Sequence, residues 1–100
     1  MRSAMAIQVL PLSGGSRERV WTLVDKAIAV IDKSGLSYTV GPMETVVEGP
    51  LERLVEVAKE AHLAVVEASG GTVSTYIKLV SGNDIGTAEE KVRKYRDQGH

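Results

Sequence analysis

The sequence contains no cysteine and no phenylalanine, and neither acidic nor basic residues predominate. Without cysteine the chain has no disulfides and no thiolate-bound metal, which permits a reducing compartment. The net charge of −1 creates no strong general field that would attract nucleic acid or an anionic membrane. No apolar run approaches the roughly 20 residues that cross a bilayer, and the first residues lack an apolar signal-peptide segment. These absences predict a cytoplasmic protein with neither nucleic-acid nor membrane partners.

Length and composition favour one small globular domain over residues 1–100. The apolar content of 43% and the charged content of 25% are ordinary for a globular protein. A chain of 100 residues can bury only a thin core, which suits one layer of helices on one face of a sheet. We assign residues 1–5 no role and allow for their being disordered.

The spacing of apolar residues predicts the element order strand, helix, strand, strand, helix, strand. Alternation and β-branched residues indicate four strands, near residues 6–12, 36–41, 43–48 and 72–80. Helical spacing indicates a first helix near residues 16–34 and a second between Pro50 and Gly70. The inner face of the second helix is predicted to hold Leu51, Leu54, Val55, Ala58, Ala61, His62 and Val65. A capping box at Thr87 predicts a short third helix that ends near Gln98.

Two strand–helix–strand halves in tandem give an α+β domain of ferredoxin-like topology, βαββαβ. Right-handed crossovers place both helices on one face of a four-stranded antiparallel sheet. The opposite face is then uncovered, although it carries several apolar strand residues. Because a monomer rarely leaves such a patch in water, we expect self-association to a homodimer or, through two-fold contacts, a homotetramer.

One segment, residues 34–49 with the sequence SGLSYTVGPMETVVEG, has a distinctive pattern. Its characteristic positions are Ser34, Gly35, Tyr38, Gly41, Pro42, Thr45, Val47, Glu48 and Gly49. This pattern resembles the family of small thiamine-binding proteins, and residues 9–12 and 90–96 fit that family's first strand and terminal helix. The chain departs from many members at Thr72 and over residues 81–84. The resemblance implies a ferredoxin-like domain that tetramerises through its sheets and binds thiamine or its hydroxymethylpyrimidine part.

Four residues are candidates for that site. Thiamine is a cation joined to an aminopyrimidine, so its site needs a carboxylate, an aromatic or sulfur-bearing wall and hydrogen-bonding groups. Glu48 would supply the carboxylate, or else only place negative charge at the start of the second helix. Tyr38 would stack on a ring or pack in the core, and Thr45 would bond the pyrimidine or merely favour a strand. Gln8 would bond a ring edge or be a simple exposed residue.

Thr45 and Glu48 present a geometric difficulty. They lie on one predicted strand at an odd separation, so alternation directs their side chains to opposite faces. A single compact site therefore requires a bulge near Val47, a strand that ends before Glu48, or a neighbouring subunit that completes the site.

Catalysis has little support in the sequence. His62 and His100 are the only histidines, so neither a Ser–His–Asp arrangement nor a metal cluster can be argued. His62 is predicted to be structural, and Trp21 a packing or interface residue. Arg17 lies near the position at which acylphosphatases of this topology carry an arginine, but their glycine-rich loop sequence is absent. We expect a non-enzyme without cofactor or metal. It is either a thiamine or pyrimidine carrier or sensor, or an oligomeric scaffold or regulatory domain that binds another metabolite or a protein.

Overall fold

The computed structural model describes residues 1–12 and 15–83. Its elements are β1 (Arg2–Pro11), α1 (Arg17–Lys33), β2 (Ser37–Val40), β3 (Thr45–Glu48), α2 (Leu51–Ser69) and β4 (Val73–Gly82). The predicted order of strands and helices is therefore confirmed. The third helix predicted near residues 87–98 lies outside the described residues.

The four strands form one antiparallel sheet in the order β2-β3-β1-β4. Alternation along β1 directs Met5, Ile7 and Val9 towards the helices, and these side chains are 1–7% exposed. They join Val47 of β3 and the apolar stripes of α1 and α2 in a single core. The predicted ferredoxin-like arrangement, with both helices on one face of the sheet, is confirmed.

Local signals in the sequence determine where the helices begin and end. The Ser16 hydroxyl caps α1 by accepting a hydrogen bond from the Arg19 backbone N–H at 3.2 Å. Gly70 ends α2 in the left-handed conformation, at φ 67°, which glycine adopts without steric cost. No helix in the described ranges is long and apolar enough to cross a membrane.

The predicted inner face of α2 is wrong at one position. Val55 is 52% exposed, whereas Val57, which was not assigned to that face, is 0% exposed. Because α2 packs against both α1 and the sheet, its buried face is rotated towards Val57.

The first strand begins earlier than predicted. Residues 2–5 belong to β1, and Ser3 and Met5 are buried at 5% and 1% exposure. β4 is long enough to pair with β1 from Pro11 back to Arg2, so it provides a continuous partner for the start of the chain. The possibility of a disordered start is therefore wrong for these residues.

β1 also extends beyond the short β2–β3 hairpin beside it. The last β1–β3 pair is Ile7 with Thr45, while β1 continues alongside β4 as far as Pro11. The hairpin turns over residues 41–44, where the Gly41 N–H donates to the Glu44 carbonyl at 2.9 Å. A Cβ at Gly41 would lie 2.8 Å from that oxygen, so the tight turn requires glycine. The hairpin end and the overhanging part of β1 form two walls of a cleft.

Candidate ligand-binding site

The cleft lies between the turn of the β2–β3 hairpin, the far end of β1 and one side of α1, and we call it the hairpin cleft. Its volume is about 200 Å³. It is lined by Ile7, Gln8, Val9, Leu10, Trp21, Val24, Ile28, Val40, Gly41, Pro42, Met43, Glu44 and Thr45. Two of the four predicted site residues, Gln8 and Thr45, therefore line one cavity.

Thr45 is a nearly buried polar residue at this cleft. It is 7% exposed and faces the helices, opposite Ile7. Within residues 1–12 and 15–83, its hydroxyl has no hydrogen-bond partner. Every fully enclosed polar side-chain atom in these residues does have a partner, so the Thr45 hydroxyl is not fully enclosed. The Thr45 hydroxyl therefore retains access to solvent, and it can donate to or accept from a molecule in the cleft.

The inner end of the cleft also offers amide groups. Gln8 is half-buried and lines the cleft, but alternation directs its side chain to the face of the sheet opposite that of Thr45. On the β3 side of β1, the Gly49 N–H donates to the Ser3 carbonyl. Alternate residues of an antiparallel strand direct their peptide groups to the same neighbouring strand, so the N–H and C=O of Val9 point to the β3 side, as those of Ser3 do. They lie beyond the last β1–β3 pair, at the cleft.

The outer rim of the cleft is apolar and aromatic. Trp21 is 60% exposed and Met43 is 74% exposed. The Arg17 guanidinium lies 5.9 Å from the centre of the Trp21 ring, which is within the range of a cation–π contact. Trp21 therefore provides an accessible aromatic wall at a cavity, and not only a packing surface.

Glu44 is the only residue with a formal charge among those that line the hairpin cleft. Its carboxylate forms an ion pair with Lys78 of β4, with the Nζ and Oε2 atoms 3.4 Å apart. Lys78 is 78% exposed at its side chain, so water screens this pair and the carboxylate keeps much of its field. Lys78 pairs with Ala6 and faces away from the helices, so the Glu44 carboxylate is directed to that face of the sheet and away from Trp21.

Tyr38 and Glu48 lie away from the hairpin cleft. The Tyr38 ring packs against the core, and its hydroxyl donates to Asp32 Oδ1 at 2.8 Å. This hydrogen bond, more than the burial of the ring, raises the pKa of Tyr38 above its usual 10.0. Glu48 pairs with Ala4 in a regular ladder without a bulge, so it faces away from the helices. Alternation thus separates Thr45 and Glu48 as expected, and the binding roles of Tyr38 and Glu48 stay predictions.

A second and larger cavity lies between α2 and β4, on the helix face of the sheet. This groove has a volume of about 510 Å³. It is lined by Met5, Val55, Ala58, Lys59, His62, Thr75, Ile77 and Leu79. Its His62 Nδ1 and Thr75 Oγ1 atoms are hydrogen-bonded to each other at 2.6 Å, and its lysine is positive. The groove is therefore larger than the hairpin cleft but offers less to a cationic aminopyrimidine. His62, which was predicted to be structural, is thus hydrogen-bonded to Thr75.

The face of the sheet opposite the helices carries apolar and aromatic side chains. Tyr76 and Val80 of β4 are 58% and 42% exposed there, beside Ala4 and Ala6 of β1. We call this surface the open face. Over the described part of the chain, no group of three or more His, Cys, Asp or Glu residues could hold a metal ion.

The sequence analysis missed three residues of the cleft: Trp21, Met43 and Glu44. Met43 and Glu44 were assigned to a regular strand, but the tight turn at Gly41 ends the ladder at Thr45. The Gly41-Pro42 pair was the available signal, because such a pair marks a turn whose neighbours leave the sheet. Trp21 gave no such signal, since only the tertiary structure brings α1 to the hairpin.

Comparison with known proteins relates this chain to a family. A family model described as "Thiamine-binding protein" matches residues 5–96. A UPF0045 protein of Clostridium perfringens is 36% identical over 92 residues, which cover 92% of this chain and 95% of that protein. A solved domain of unknown function, DUF77, from Bacillus cereus superposes with a TM-score of 0.83 at 41% identity, covering 98% of this chain and 93% of that one.

A third relative is a solved Thermotoga maritima protein that is provisionally assigned to thiamine biosynthesis or salvage. It superposes with a TM-score of 0.82 at 29% identity, covering 96% of this chain and all of that one, at 100%. The family match spans all six elements of the fold and every residue of the hairpin cleft. The chain therefore belongs to the thiamine-binding protein family.

Proposed function

We propose that the protein is a cytoplasmic, homo-oligomeric binding protein that takes up thiamine or its hydroxymethylpyrimidine part in the hairpin cleft, without catalysing a reaction. The observation that carries this proposal is the Thr45 hydroxyl. It is held at 7% exposure in a cavity, without a hydrogen-bond partner among the described residues. Because this hydroxyl still contacts solvent, a ligand hydrogen bond can replace its hydrogen bond to water.

The inner end of the cleft suits an aminopyrimidine. That ring presents nitrogen acceptors beside an exocyclic amine donor, so it needs a protein edge that both donates and accepts. The Thr45 hydroxyl and the peptide groups of Val9 supply both kinds of group. Family membership supports the choice of ligand, because the matching family is described as thiamine-binding.

Glu48 and Tyr38 enter this proposal only through a second subunit. Glu48 lies about 10 Å along β3 from Thr45 and faces away from the helices. A partner chain packed on the open face would contact this carboxylate. Tyr38 already donates its hydroxyl to Asp32, so its free contribution to a ligand is the ring.

Self-association through the open face is the second part of the proposal. Val80 is 42% exposed on that face, and a lysine there would place a charge in the proposed subunit contact. We expect light scattering to find an oligomer for the wild type and a monomer of about 10.7 kDa for Val80→Lys. Leu63→Lys is the matched control, because Leu63 is 50% exposed on α2. A wild-type monomer, or equal effects of both variants, would overturn this part.

The ligand is tested by calorimetry and thermal shift with thiamine and hydroxymethylpyrimidine. A ligand that binds only the native state raises its melting temperature by mass action. We expect Thr45→Val to weaken binding of both compounds by roughly two- to twelvefold, the value of one neutral hydrogen bond. If Glu48→Gln weakens binding by more than about tenfold, Glu48 contributes a charge-assisted bond from a partner subunit. If the wild type binds neither compound, the proposal fails and the oligomeric scaffold or regulatory domain takes its place.

A further inference from the structure

We infer that the outer edge of β4 is an interaction surface, on which β4 of a second copy of this chain pairs in antiparallel orientation. The two four-stranded sheets then form one continuous sheet across a two-fold axis at Ile77. This contact uses an edge of the sheet and is separate from the open face. It rests on the proposed self-association and makes it more specific, because edge pairing joins two open-face dimers into a tetramer.

The two edges of the sheet are protected to different degrees. At one edge, β2 has only four residues and is followed by the tight turn at Gly41. At the other edge, β4 has ten residues without a proline, and it pairs with β1 in an unbroken register without a bulge. Lys78 is the only charged residue in β4. Soluble proteins protect long edge strands with proline, bulges or several charges, so the edge of β4 indicates a partner strand.

Large apolar side chains are exposed on both faces of β4. Tyr76 and Val80 lie on the open face, whereas Ile77 and Leu79 lie on the helix face, and all four are 42–58% exposed. A partner packed on the open face would cover only the first two. A strand added at the edge brings its own side chains beside both pairs, so it accounts for the exposure on both faces.

The unpaired peptide groups of this edge belong to alternate residues of β4. The Leu12 N–H donates to the Thr72 carbonyl, so the even-numbered residues of β1 direct their peptide groups to β4. Their partners in β4, such as Tyr76 and Lys78, direct theirs to β1 in return. The N–H and C=O of Ile77 therefore point outward, where no strand among the described residues pairs with β4.

Charge selects one register for two such strands. Pairing along nearly the whole of β4 requires a two-fold axis at Ile77 or, one residue further on, at Lys78. An axis at Lys78 would place two lysines directly opposite each other, which destabilises a strand pair. An axis at Ile77 instead places each Tyr76 ring opposite Lys78 of the second copy, an arrangement that allows a cation–π contact. Glu44 of the same chain, 3.4 Å from each lysine, limits the repulsion between the two.

The same register makes the α2–β4 groove part of the interface. Antiparallel pairing across an axis perpendicular to the sheet keeps the helices of both copies on one side. Ile77, which lines the groove, then lies opposite Ile77 of the second copy. Leu79 and Thr75, which line it too, lie opposite each other across the axis. The apolar wall that β4 gives to the groove is thus covered by an identical wall, and a second copy fits this edge because its surface is self-complementary.

Light scattering with charge variants at the axis tests the contact. The wild type should be a tetramer of about 43 kDa, four times the chain mass of 10.7 kDa. Ile77→Lys places two like charges opposite each other at the axis, and so does Ile77→Glu. Each variant alone should therefore give the open-face dimer, at half the wild-type mass. An equimolar mixture of the two variants should recover the tetramer, because lysine then lies opposite glutamate.

Two controls separate the register from the effect of an added charge. Leu79 lies opposite Thr75 in this register and not opposite itself, so a mixture of Leu79→Lys and Leu79→Glu should form no more tetramer than the two variants form separately. Leu63→Lys, at an exposed position of α2, should keep the wild-type mass. Val80→Lys adds a charge beside Lys78 in the edge contact as well as on the open face, so the monomer expected for it is unchanged.

A proline variant tests the backbone pairing itself. Ile77→Pro removes an N–H that points outward, so it leaves the β1–β4 ladder intact, and proline is tolerated at such positions of edge strands. It should also give the open-face dimer. Circular dichroism melts show whether each variant is folded, and Ile77→Pro decides the question should the charge variants fail to fold.

The outcomes separate the inference from the function on which it rests. If folded Ile77 variants keep the wild-type mass, or if their mixture does not recover it, edge pairing is overturned, while the open-face contact and thiamine binding keep their own tests. A wild-type dimer that the Ile77 variants convert to a monomer supports edge pairing and overturns the open-face contact. A wild-type monomer overturns both contacts.

Discussion

Thr45→Val should stabilise the unliganded protein while it weakens the binding of ligand. The substitution replaces a hydroxyl by a methyl group of nearly equal size, at a position that is 7% exposed. In the described part of the chain, the hydroxyl has no partner to lose. A residue selected only for the fold would not keep a cost of this kind, so opposite effects on stability and binding are the signature of a binding residue.

The magnitude follows from burial of the hydroxyl. An unpaired buried polar group costs about 1–3 kcal/mol, and the lower end applies because this hydroxyl still contacts solvent through the cleft. We therefore expect Thr45→Val to raise the free energy of unfolding by about 1 kcal/mol. For a domain of this size that corresponds to a rise in melting temperature of roughly 4–8 °C.

Thr75→Val is the matched control, because it makes the same change on the same face of the sheet, in β4 on the other side of β1. The Thr75 hydroxyl is hydrogen-bonded to His62 Nδ1 at 2.6 Å, so its loss should destabilise the protein by about 0.5–1.5 kcal/mol. Urea unfolding at one fixed protein concentration measures both variants, since self-association makes stability depend on concentration. If Thr45→Val destabilises the protein as much as Thr75→Val does, the Thr45 hydroxyl has a structural partner and our reasoning is refuted.

Two further predictions concern the core and the tyrosine contact. Leu54→Ala should lower the free energy of unfolding by about 2–5 kcal/mol in a denaturant titration, because Leu54 is 0% exposed at the centre of the core. A loss below about 1 kcal/mol would mean that α2 is not packed as described. The Asp32 contact raises the pKa of Tyr38, so its stabilisation is complete below about pH 10 and is lost as pH rises through the higher folded value. Tyr38→Phe should therefore remove a step above the usual tyrosine pKa from the tyrosinate absorbance titration, and an unchanged titration would contradict the hydrogen bond.

The alternation of apolar residues was sufficient to predict the sheet and its two faces. On β1, the pattern predicted that Ile7 and Val9 share one face and that Gln8 lies on the other, as observed. It could not predict where β1 begins, because Ser3 and Met5 become strand residues only when β4 pairs with them. Strand ends depend on a partner that is distant in sequence, so local patterns leave them undetermined.

The site was less predictable than the fold, and for a related reason. Gln8 and Thr45 were identified from a family resemblance, and the structure places both at one cavity. Glu44 was included in the strand predicted near residues 43–48, whereas the β2–β3 ladder ends one residue later, at Thr45. No periodic pattern in the sequence shows at which residue a strand ladder ends. Trp21 belongs to a helix whose distance from the hairpin is set by core packing alone.

Unequal strand lengths therefore create the candidate site. β1 is paired along its whole length with β4, but only its first part is paired with the short β3. The overhang leaves peptide groups of β1 beside the hairpin turn, beyond the last β1–β3 pair. A longer hairpin would pair with the overhang through ordinary ladder hydrogen bonds, and it would close the cleft. The short turn at Gly41 thus leaves the N–H and C=O groups on this edge of β1 unpaired with β3. A flat heterocycle can form hydrogen bonds to them through its edge, as a neighbouring strand would.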